Sequence, residues 1–124
     1  MERVGIPVFE SRVSPVLDAC NHLQVFDIEN GRVVQRLEIS LEKINLAERI
    51  EVLARWGVRK IICAGVSDVM CKYLAARKIE LIGGIAGEIE KVLKAYICNR
   101  LHHECYHMPG KSFARSATKK AGRE

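Results

Sequence analysis

The sequence predicts an α/β fold in which helices cover both faces of a five-stranded mixed sheet, with the strands in the order 3-2-1-4-5. Residues 32–39 alternate apolar and polar side chains, as a strand with one solvated face does. Apolar side chains recur at helical spacing over residues 44–53. The apolar run at 58–65 leads into Ser67, a residue that favours a helix start, which indicates a buried strand followed by a crossover helix.

The first part of the chain is predicted to form three strands joined by hairpins. These strands cover residues 3–9, 22–28 and 32–39. Residues 10–21, called the first loop below, connect the first two strands as a loop or short turn segment. The ENG sequence at 29–31 forms a hairpin turn, because Asn and Gly accept positive φ at little cost. Val33, Leu37 and Ile39 share one face of the third strand, which we place at an edge of the sheet.

The second part of the chain alternates helices with strands. The first helix begins at Asn45, which forms a capping pair with Glu48, or alternatively at Ser40, and it ends at Gly57. The remaining elements are a strand at 58–65, a helix from Ser67 to about Lys78, a strand at 79–82 and a helix from Ala86 to about Asn99. Helices between neighbouring strands require parallel crossovers, which are right-handed in nearly all cases and leave strand 1 at the centre.

The charge of the chain is concentrated at its end. Of the net charge of +5 on 124 residues, +4 comes from residues 111–124, which leaves +1 for the remainder. A domain that reads nucleic acid shows a basic face, so we expect no nucleic-acid partner. No apolar run approaches the roughly 20 residues that span a bilayer, and the start MERVGIPVFE lacks the layout of a secretory signal. We therefore expect a cytoplasmic protein without a membrane partner.

The five cysteines do not form the pattern of a disulfide framework. Their number is odd and no C-x-x-C pair occurs. We expect free thiols in a reducing compartment, either buried or ligating a metal. Cys71 lies on the predicted second helix beside Met70 and Leu74 and is interpreted as a core residue.

Five blocks of sequence resemble the dinitrogenase iron–molybdenum cofactor biosynthesis family. They are IPVFESRVSPVLDA, VFDIENGRVV, VRKIICAGVSD, GGIAGEIEKVLKAY and HMPG, in that order. The resemblance covers roughly residues 2–110. It implies a ribonuclease-H-like fold and the binding of an iron–sulfur or iron–molybdenum-type cofactor or its precursor. We therefore interpret residues 1–110 as an α/β domain of the cofactor-binding type and residues 111–124 as a basic, disordered tail.

The predicted binding site consists of the first loop and two strand-to-helix turns. Glycines follow strand 4 at 64–67 and strand 5 at 83–87, and the helices that begin there carry amides without partners inside the helix. Such amides favour an anion, and open α/β sheets bind ligands at the carboxyl ends of their strands. The candidate cofactor contacts are Ser11, Arg12, Ser14, Asp18, Gly65, Ser67, Gly84 and Ala86. The alternative is that the glycines only make tight turns.

Four residues are candidate metal ligands: Cys63, Cys20, His102 and Cys105. Cys63 lies at the end of strand 4, and Cys20 lies near the end of the first loop, two residues before His22. Thiolate is the natural ligand of iron in clusters. The alternative for Cys63 is a buried thiol that packs as a small apolar side chain. His102 and Cys105 belong to the run HHECYHMPG, which either holds an auxiliary transition metal or is a solvated helix end.

The expected function is that of a carrier or chaperone for such a cofactor, acting without catalysis. Asp18, Asp27 and Asp68 lie in separate segments and strand 1 has no acidic residue, which is unlike a metal-dependent nuclease. No nucleophile elbow, P-loop or His-Glu zinc motif occurs either. The expected partners are cofactor-assembly or acceptor proteins. The alternative is a regulatory or scaffold domain that binds a protein partner without a cofactor.

Overall fold

A mixed β-sheet separates one helix from two others in the computed structural model, which describes residues 2–98. The strands are β1 (Glu2–Phe9), β2 (Arg12–Val13), β3 (His22–Glu29), β4 (Arg32–Ser40), β5 (Lys60–Ile62) and β6 (Glu80–Ile82). The helices are α1 (Leu46–Arg55), α2 (Asp68–Ala76) and α3 (Ile89–Ile97), with a 3-10 turn at Leu17–Ala19. Within the described range, no helix is long and apolar enough to cross a membrane.

The strand order β4-β3-β1-β5-β6 confirms the predicted order with the first strand at the centre. β1, β3 and β4 pair antiparallel, whereas β1, β5 and β6 pair parallel, so the sheet is mixed. The predicted number of five strands is wrong, because β2 lies within the first loop and makes the sheet six-stranded. The turn before β2 has positive φ at Glu10 and Ser11. Neither residue is the Asn or Gly that marks such a turn in a sequence.

Helices cover both faces of the sheet, as predicted. Helix α3 packs its buried side chains against one face, which carries alternate residues of β1. The members of this core include Val4, Ile6, Phe26, Ile62, Ile89, Val92 and Leu93. Helices α1 and α2 cover the opposite face with a second core that includes Leu23, Val25, Ile50, Leu53, Ile61, Met70 and Leu74. Period-two burial in the strands therefore divides the apolar residues between two cores.

The prediction that Val33 shares a face with Leu37 and Ile39 is wrong. Val33 packs against the core under α3, whereas Leu37 and Ile39 belong to the core under α1 and α2. The register between β3 and β4 shifts between Asp27 and Ile28. Such a bulge inserts an extra residue, and a shift of one residue transfers each later side chain to the other face.

The helix boundaries follow from their caps. Asn45 caps α1 by accepting a hydrogen bond from Glu48 N at 2.9 Å, which confirms the predicted capping pair over the start at Ser40. Helix α3 begins at Ile89 rather than at Ala86, because Gly87 has a φ of 132° and its carbonyl accepts a hydrogen bond from Val13 N.

The second helix also ends earlier than predicted. Ser67 is its N-cap, as expected, but α2 stops at Ala76 because Lys78 has left-handed φ. The predicted strands at 58–65 and 79–82 are shorter, at Lys60–Ile62 and Glu80–Ile82.

An ion pair joins β1, β3 and the end of α1 where β1 begins. Arg3 Nε lies 2.6 Å from Asp27 Oδ1, and Arg3 Nη2 lies 2.9 Å from Asp27 Oδ2. Arg3 Nη1 also donates to Trp56 O at 2.6 Å. Asp27 is only 2% exposed. The hydrogen bonds from Arg3 lower the pKa of Asp27, although burial opposes that shift.

We predict that Asp27→Asn lowers the free energy of unfolding at pH 7 by about 2 kcal/mol, because the Arg3 guanidinium loses its charged partner. The pKa of Asp27 is lower in the folded state than in the unfolded chain. Its contribution is therefore present above an unfolded pKa of about 3.9 and disappears as the pH falls through the folded pKa. Urea unfolding at pH 7 and in strong acid measures both effects.

The matched control is Glu42→Gln, which neutralises an exposed carboxylate. We expect this control to change stability by less than about 0.5 kcal/mol. A difference between wild type and Asp27→Asn that stays constant down to the lowest pH would contradict the ion-pair explanation.

Candidate functional site

The first loop and both strand-to-helix turns meet at the carboxyl edge of the sheet, where β1, β5 and β6 end. Val16 forms a β-bridge with Gly65, whose carbonyl accepts a hydrogen bond from Leu17 N at 2.8 Å. Ile89 N, at the start of α3, donates to Ser11 O at 2.9 Å. The turn after β6 joins the turn after β5, because Gly84 N donates to Ala64 O. The three segments predicted to form the site are therefore adjacent.

Three of the backbone amides predicted to hold an anion, those of Gly65, Gly84 and Ser67, have partners inside the protein. Gly65 N donates to Pro15 O at 2.7 Å, and Gly84 N donates to Ala64 O at 2.9 Å. At the start of α2, Ser67 N donates to Asp18 Oδ1 at 2.9 Å. Asp18 thus places a carboxylate of the chain itself at the helix N-terminus, the position that favours negative charge.

The Ser67 hydroxyl is also engaged. Its Oγ accepts a hydrogen bond from Met70 N at 3.1 Å and donates one to Asp18 Oδ2. Asp18 and Ser67 therefore fasten the first loop to α2. Of the other predicted contacts, Arg12 is exposed, Ser14 is buried and Ala86 is half-buried.

Gly65 allows a close approach between the turn after β5 and the first loop. A Cβ at this position would lie 2.8 Å from Pro15 O, a distance that side-chain carbons do not tolerate. At Gly83, by contrast, the nearest atom to an added Cβ would be Ala64 O at 3.9 Å. The requirement for glycine at position 65 is thus explained by packing of the first loop.

An open cleft of about 550 Å³ lies between the β1–β2 hairpin and the beginning of β3. Three predicted site residues line it: Ser11 and Ser14 as cofactor contacts and Cys20 as a metal ligand. Glu10 and Glu38 also line the cleft, whereas the part of its wall that the structure describes contains no lysine or arginine. Two carboxylates and no basic side chain suit a metal cation better than a free anion.

The thiol of Cys20 lies beside a buried guanidinium. Cys20 and Arg49 are 3% and 7% exposed, and Arg49 Nη1 donates to the carbonyl of Cys20 and lies 3.7 Å from its Sγ. Arg49 Nε also donates to Ile44 O at 2.8 Å. Burial raises the pKa of the Cys20 thiol, and the positive charge of Arg49 opposes this shift. The thiol is therefore protonated at neutral pH in the folded protein.

Arg49 is a site residue that the sequence analysis missed. It stands on the apolar stripe of α1, three residues after Leu46 and four before Leu53. This spacing could have indicated that its side chain faces the core. It could not have identified Cys20, which is far away in the chain, as its neighbour.

His22 shares the cleft with Cys20. His22 Nδ1 lies 3.4 Å from Glu38 Oε2 across the β3–β4 pair. That distance allows an ion pair when the imidazole is protonated, but Nδ1 has no hydrogen-bond partner among the described residues. The His22 side chain as a whole is half-exposed, whereas its Nδ1 atom is buried. An imidazole and a carboxylate thus border the same opening as the thiol.

Cys63 has no exposed surface and lies in the core under α1 and α2. Burial raises the pKa of its thiol above the ordinary range, and the nearby Cys71, Asp18 and Cys20 add to the shift. These properties are those of a thiol that packs as an apolar side chain. Within residues 2–98, no three or more His, Cys, Asp or Glu side chains are grouped as a metal site. His102 and Cys105 lie outside the described residues.

The three-layer fold and the cleft define a small α/β domain with a candidate binding site at the carboxyl end of its central strand, β1. A sequence profile described as dinitrogenase iron–molybdenum cofactor matches residues 3–99. The chain belongs to this family. The recognition from the five sequence blocks is thereby confirmed. No protein with a curated description matches the chain at a significant level.

Solved structures with the same fold are similar to this chain at low sequence identity. The crystal structure of PH0822 aligns with a TM-score of 0.77 and 21% identity, over 82% of this chain and 94% of that one. A Methanocaldococcus jannaschii protein, provisionally described as a dinitrogenase, has a TM-score of 0.69 and 19% identity, over 80% of this chain and 90% of its own. A Thermotoga protein, provisionally described as NifB, has a TM-score of 0.63 and 22% identity, over 81% and 90%. These likenesses support the fold.

We predict that Gly65→Ala lowers the free energy of unfolding by about 1–3 kcal/mol, because its Cβ forces the first loop away from β5. Gly83→Ala is the matched control and should change stability by less than about 1 kcal/mol, since its Cβ makes only an ordinary van der Waals contact, with Ala64 O at 3.9 Å. Thermal and urea unfolding measure both variants. Equal stabilities of the two variants would contradict the close packing of the first loop against Gly65.

Proposed function

We propose that this protein binds and carries an iron–sulfur or iron–molybdenum-type cofactor, or its precursor, without catalysing a reaction on it. The observation that carries the proposal is the convergence of the first loop and both strand-to-helix turns on one edge, beside a cleft that contains a thiol and an imidazole. Membership of the family agrees with a role in the biosynthesis of such a cofactor. The proposal includes the ribonuclease-H-like assignment of the fold, which the order β4-β3-β1-β5-β6 supports.

The donor groups of the cleft suit iron. Thiolate and imidazole are ligands that iron accepts, and carboxylate is a further one. Cys20, His22 and Glu38 supply one of each along the same cleft. They are not grouped as a metal site among residues 2–98, so binding of the cargo would draw these side chains together. The cargo would therefore be held by side chains, because the amides of Gly65, Ser67 and Gly84 already have partners. Arg12, exposed beside the hairpin turn, would contribute positive charge to an anionic cluster.

Loading through Cys20 would require loss of its proton. A thiol ligates metal as thiolate, and the raised pKa of Cys20 keeps it protonated at neutral pH. The guanidinium of Arg49, which already contacts the sulfur, would stabilise the thiolate during loading. Metal binding that releases a proton becomes weaker as the pH falls, which gives a carrier a means of unloading without chemistry on the cargo.

The alternative function, a regulatory or scaffold domain that binds a protein without a cofactor, is favoured by one observation. The amides of Ser67 and Met70 at the start of α2 and of Ile89 at the start of α3 make hydrogen bonds within the chain and thus do not require a ligand. A stable domain without cargo is consistent with these contacts.

We predict that anaerobic reconstitution of the full chain with iron and sulfide produces a stoichiometric visible chromophore. Cys20→Ser should reduce its yield by about tenfold, because the cleft loses its thiol. Arg12→Ala should weaken binding of an anionic cluster several-fold. The signal should also decrease as the pH is lowered, since protons compete with iron for the Cys20 sulfur.

Cys98→Ser is the matched control, because Cys98 is an exposed thiol of the described part of the chain that lies outside the cleft. This variant should reconstitute as wild type does. A chain that yields no chromophore under any of these conditions would support the scaffold alternative. Equal losses from Cys20→Ser and Cys98→Ser would contradict the cleft as the site.

We further predict that the metal content of the purified full chain separates the cleft from the run HHECYHMPG. If that run holds an auxiliary metal, a combined His102→Ala and Cys105→Ser variant should lose zinc or iron while keeping the chromophore. Elemental analysis measures the first quantity and visible absorbance the second. Unchanged metal content would identify the run as a solvated helix end.

A further inference from the structure

A second surface lies at the opposite end of the sheet, the amino edge, where β1, β5 and β6 begin. Because β5 and β6 pair in parallel through Lys60 and Glu80, the loops that precede them lie side by side. Glu80 N donates to Arg59 O at 2.9 Å, and Arg59 N donates to Arg3 O at 3.2 Å. Arg3 Nη1 in turn donates to Trp56 O. These hydrogen bonds hold the two loops side by side at the amino edge.

The two loops and the helix ends before them expose four basic side chains and one tryptophan, which together we call the basic amino-edge surface. Its members are Arg55, Trp56, Arg59, Arg77 and Lys78, all exposed. Trp56 is 43% exposed, although its backbone carbonyl accepts a hydrogen bond from the Arg3 side chain. An exposed indole on a fixed backbone adds little to folding, whereas Trp and Arg dominate the binding energy of protein interfaces.

Most of the positive charge of this surface has no partner within the chain described by the structure. Arg77 forms an ion pair with Glu51. By contrast, no carboxylate among residues 2–98 lies at ion-pair distance from Arg55, Arg59 or Lys78. The surface therefore has charge available for a ligand of opposite sign.

The net charge of +1 on residues 1–110 does not indicate a basic surface of this kind. Four carboxylates also lie at or near the amino edge, but Asp27 pairs with Arg3, Glu2 and Glu80 pair with Lys60, and Glu51 pairs with Arg77. The carboxylates that balance the remaining cations lie elsewhere, among them Glu10 and Glu38 of the cleft. Unpaired positive charge on one surface steers acidic partners to that face of a protein.

We propose that the basic amino-edge surface binds an acidic segment of a partner protein, with an apolar side chain of that segment against Trp56. Three unpaired cations on the same edge as an exposed tryptophan match a short peptide that combines a few carboxylates with an apolar anchor. A nucleic acid matches less well, because its affinity depends on the number of phosphates neutralised and this surface offers only three unpaired cations among the described residues.

This surface is independent of the proposed cofactor function. The cleft with Cys20 lies at the end of β1 and the beginning of β3, whereas Trp56 and Lys78 precede the beginnings of β5 and β6. A partner bound at the amino edge leaves the cleft open. Peptide binding at the amino edge can therefore be tested separately from cofactor loading in the cleft.

The single tryptophan of the chain provides the test, because Trp56 lies in the proposed surface and its fluorescence is not obscured by another indole. The full-length protein is titrated with a synthetic peptide in which glutamate alternates with leucine. A parallel titration uses single-stranded oligothymidylate of the same net charge. We expect a saturable change in Trp56 emission with the peptide, weakened by added salt because the attraction is electrostatic.

A pair of double variants then assigns the binding to the surface. Arg59→Gln with Lys78→Asn should weaken peptide binding by about tenfold. Asn suits position 78 because it tolerates left-handed φ, which Lys78 adopts. The control is Lys72→Gln with Lys43→Asn, which removes the same charge from exposed positions elsewhere, and Lys43 also has left-handed φ.

The outcomes separate cleanly. Weakening in the first double variant and wild-type affinity in the control support the proposal. Equal weakening in both would show attraction to overall charge, including that of residues 111–124, and would overturn it. So would an unchanged Trp56 emission in the peptide titration. Oligothymidylate that binds as tightly as the peptide would identify a phosphate-binding surface instead.

Discussion

The contact between the first loop and the turn after β5 is the constraint on which the carboxyl edge of this protein depends. Gly65 allows Pro15 O to approach as no residue with a Cβ would, and Gly65 N donates to that oxygen. Asp18 then fixes the same loop to the start of α2 through Ser67. Once the loop is held there, Ser14 and Cys20 are brought to the cleft, and the 3-10 turn places Leu17 in the core.

The same contact explains why the edge differs from a typical anion site of an α/β protein. In such sites the helix N-terminus is open, and its amides and dipole attract an anionic ligand. Here a carboxylate of the chain occupies that position on α2. Recognition at this edge would therefore involve side chains around the cleft, which include a thiol, an imidazole, hydroxyls, carboxylates, side-chain amides and apolar groups.

The two edges of the sheet at which the parallel strands end and begin expose different charged side chains. Carboxylates line the cleft at one edge, while Arg55, Arg59 and Lys78 remain unpaired at the other among the described residues. Between the two edges, the ion pair of Arg3 with Asp27 ties the central strand to β3 and to the end of α1. The domain thus carries the candidate binding cleft and the basic amino-edge surface at opposite edges of the sheet.

The sequence by itself determined the strand order, the two helical faces, the caps at Asn45 and Ser67, and the family. These features follow from the periodicity of apolar residues and from residues a few positions apart, so they can be predicted from the order of residues along the chain. Only the tertiary structure decided which amides at the carboxyl edge have partners, which face Val33 occupies and that Arg49 lies against Cys20. Asp18 and Ser67 are 49 positions apart, and Arg49 and Cys20 are 29 apart. No local pattern encodes such contacts, because they arise only when distant segments pack against the same sheet.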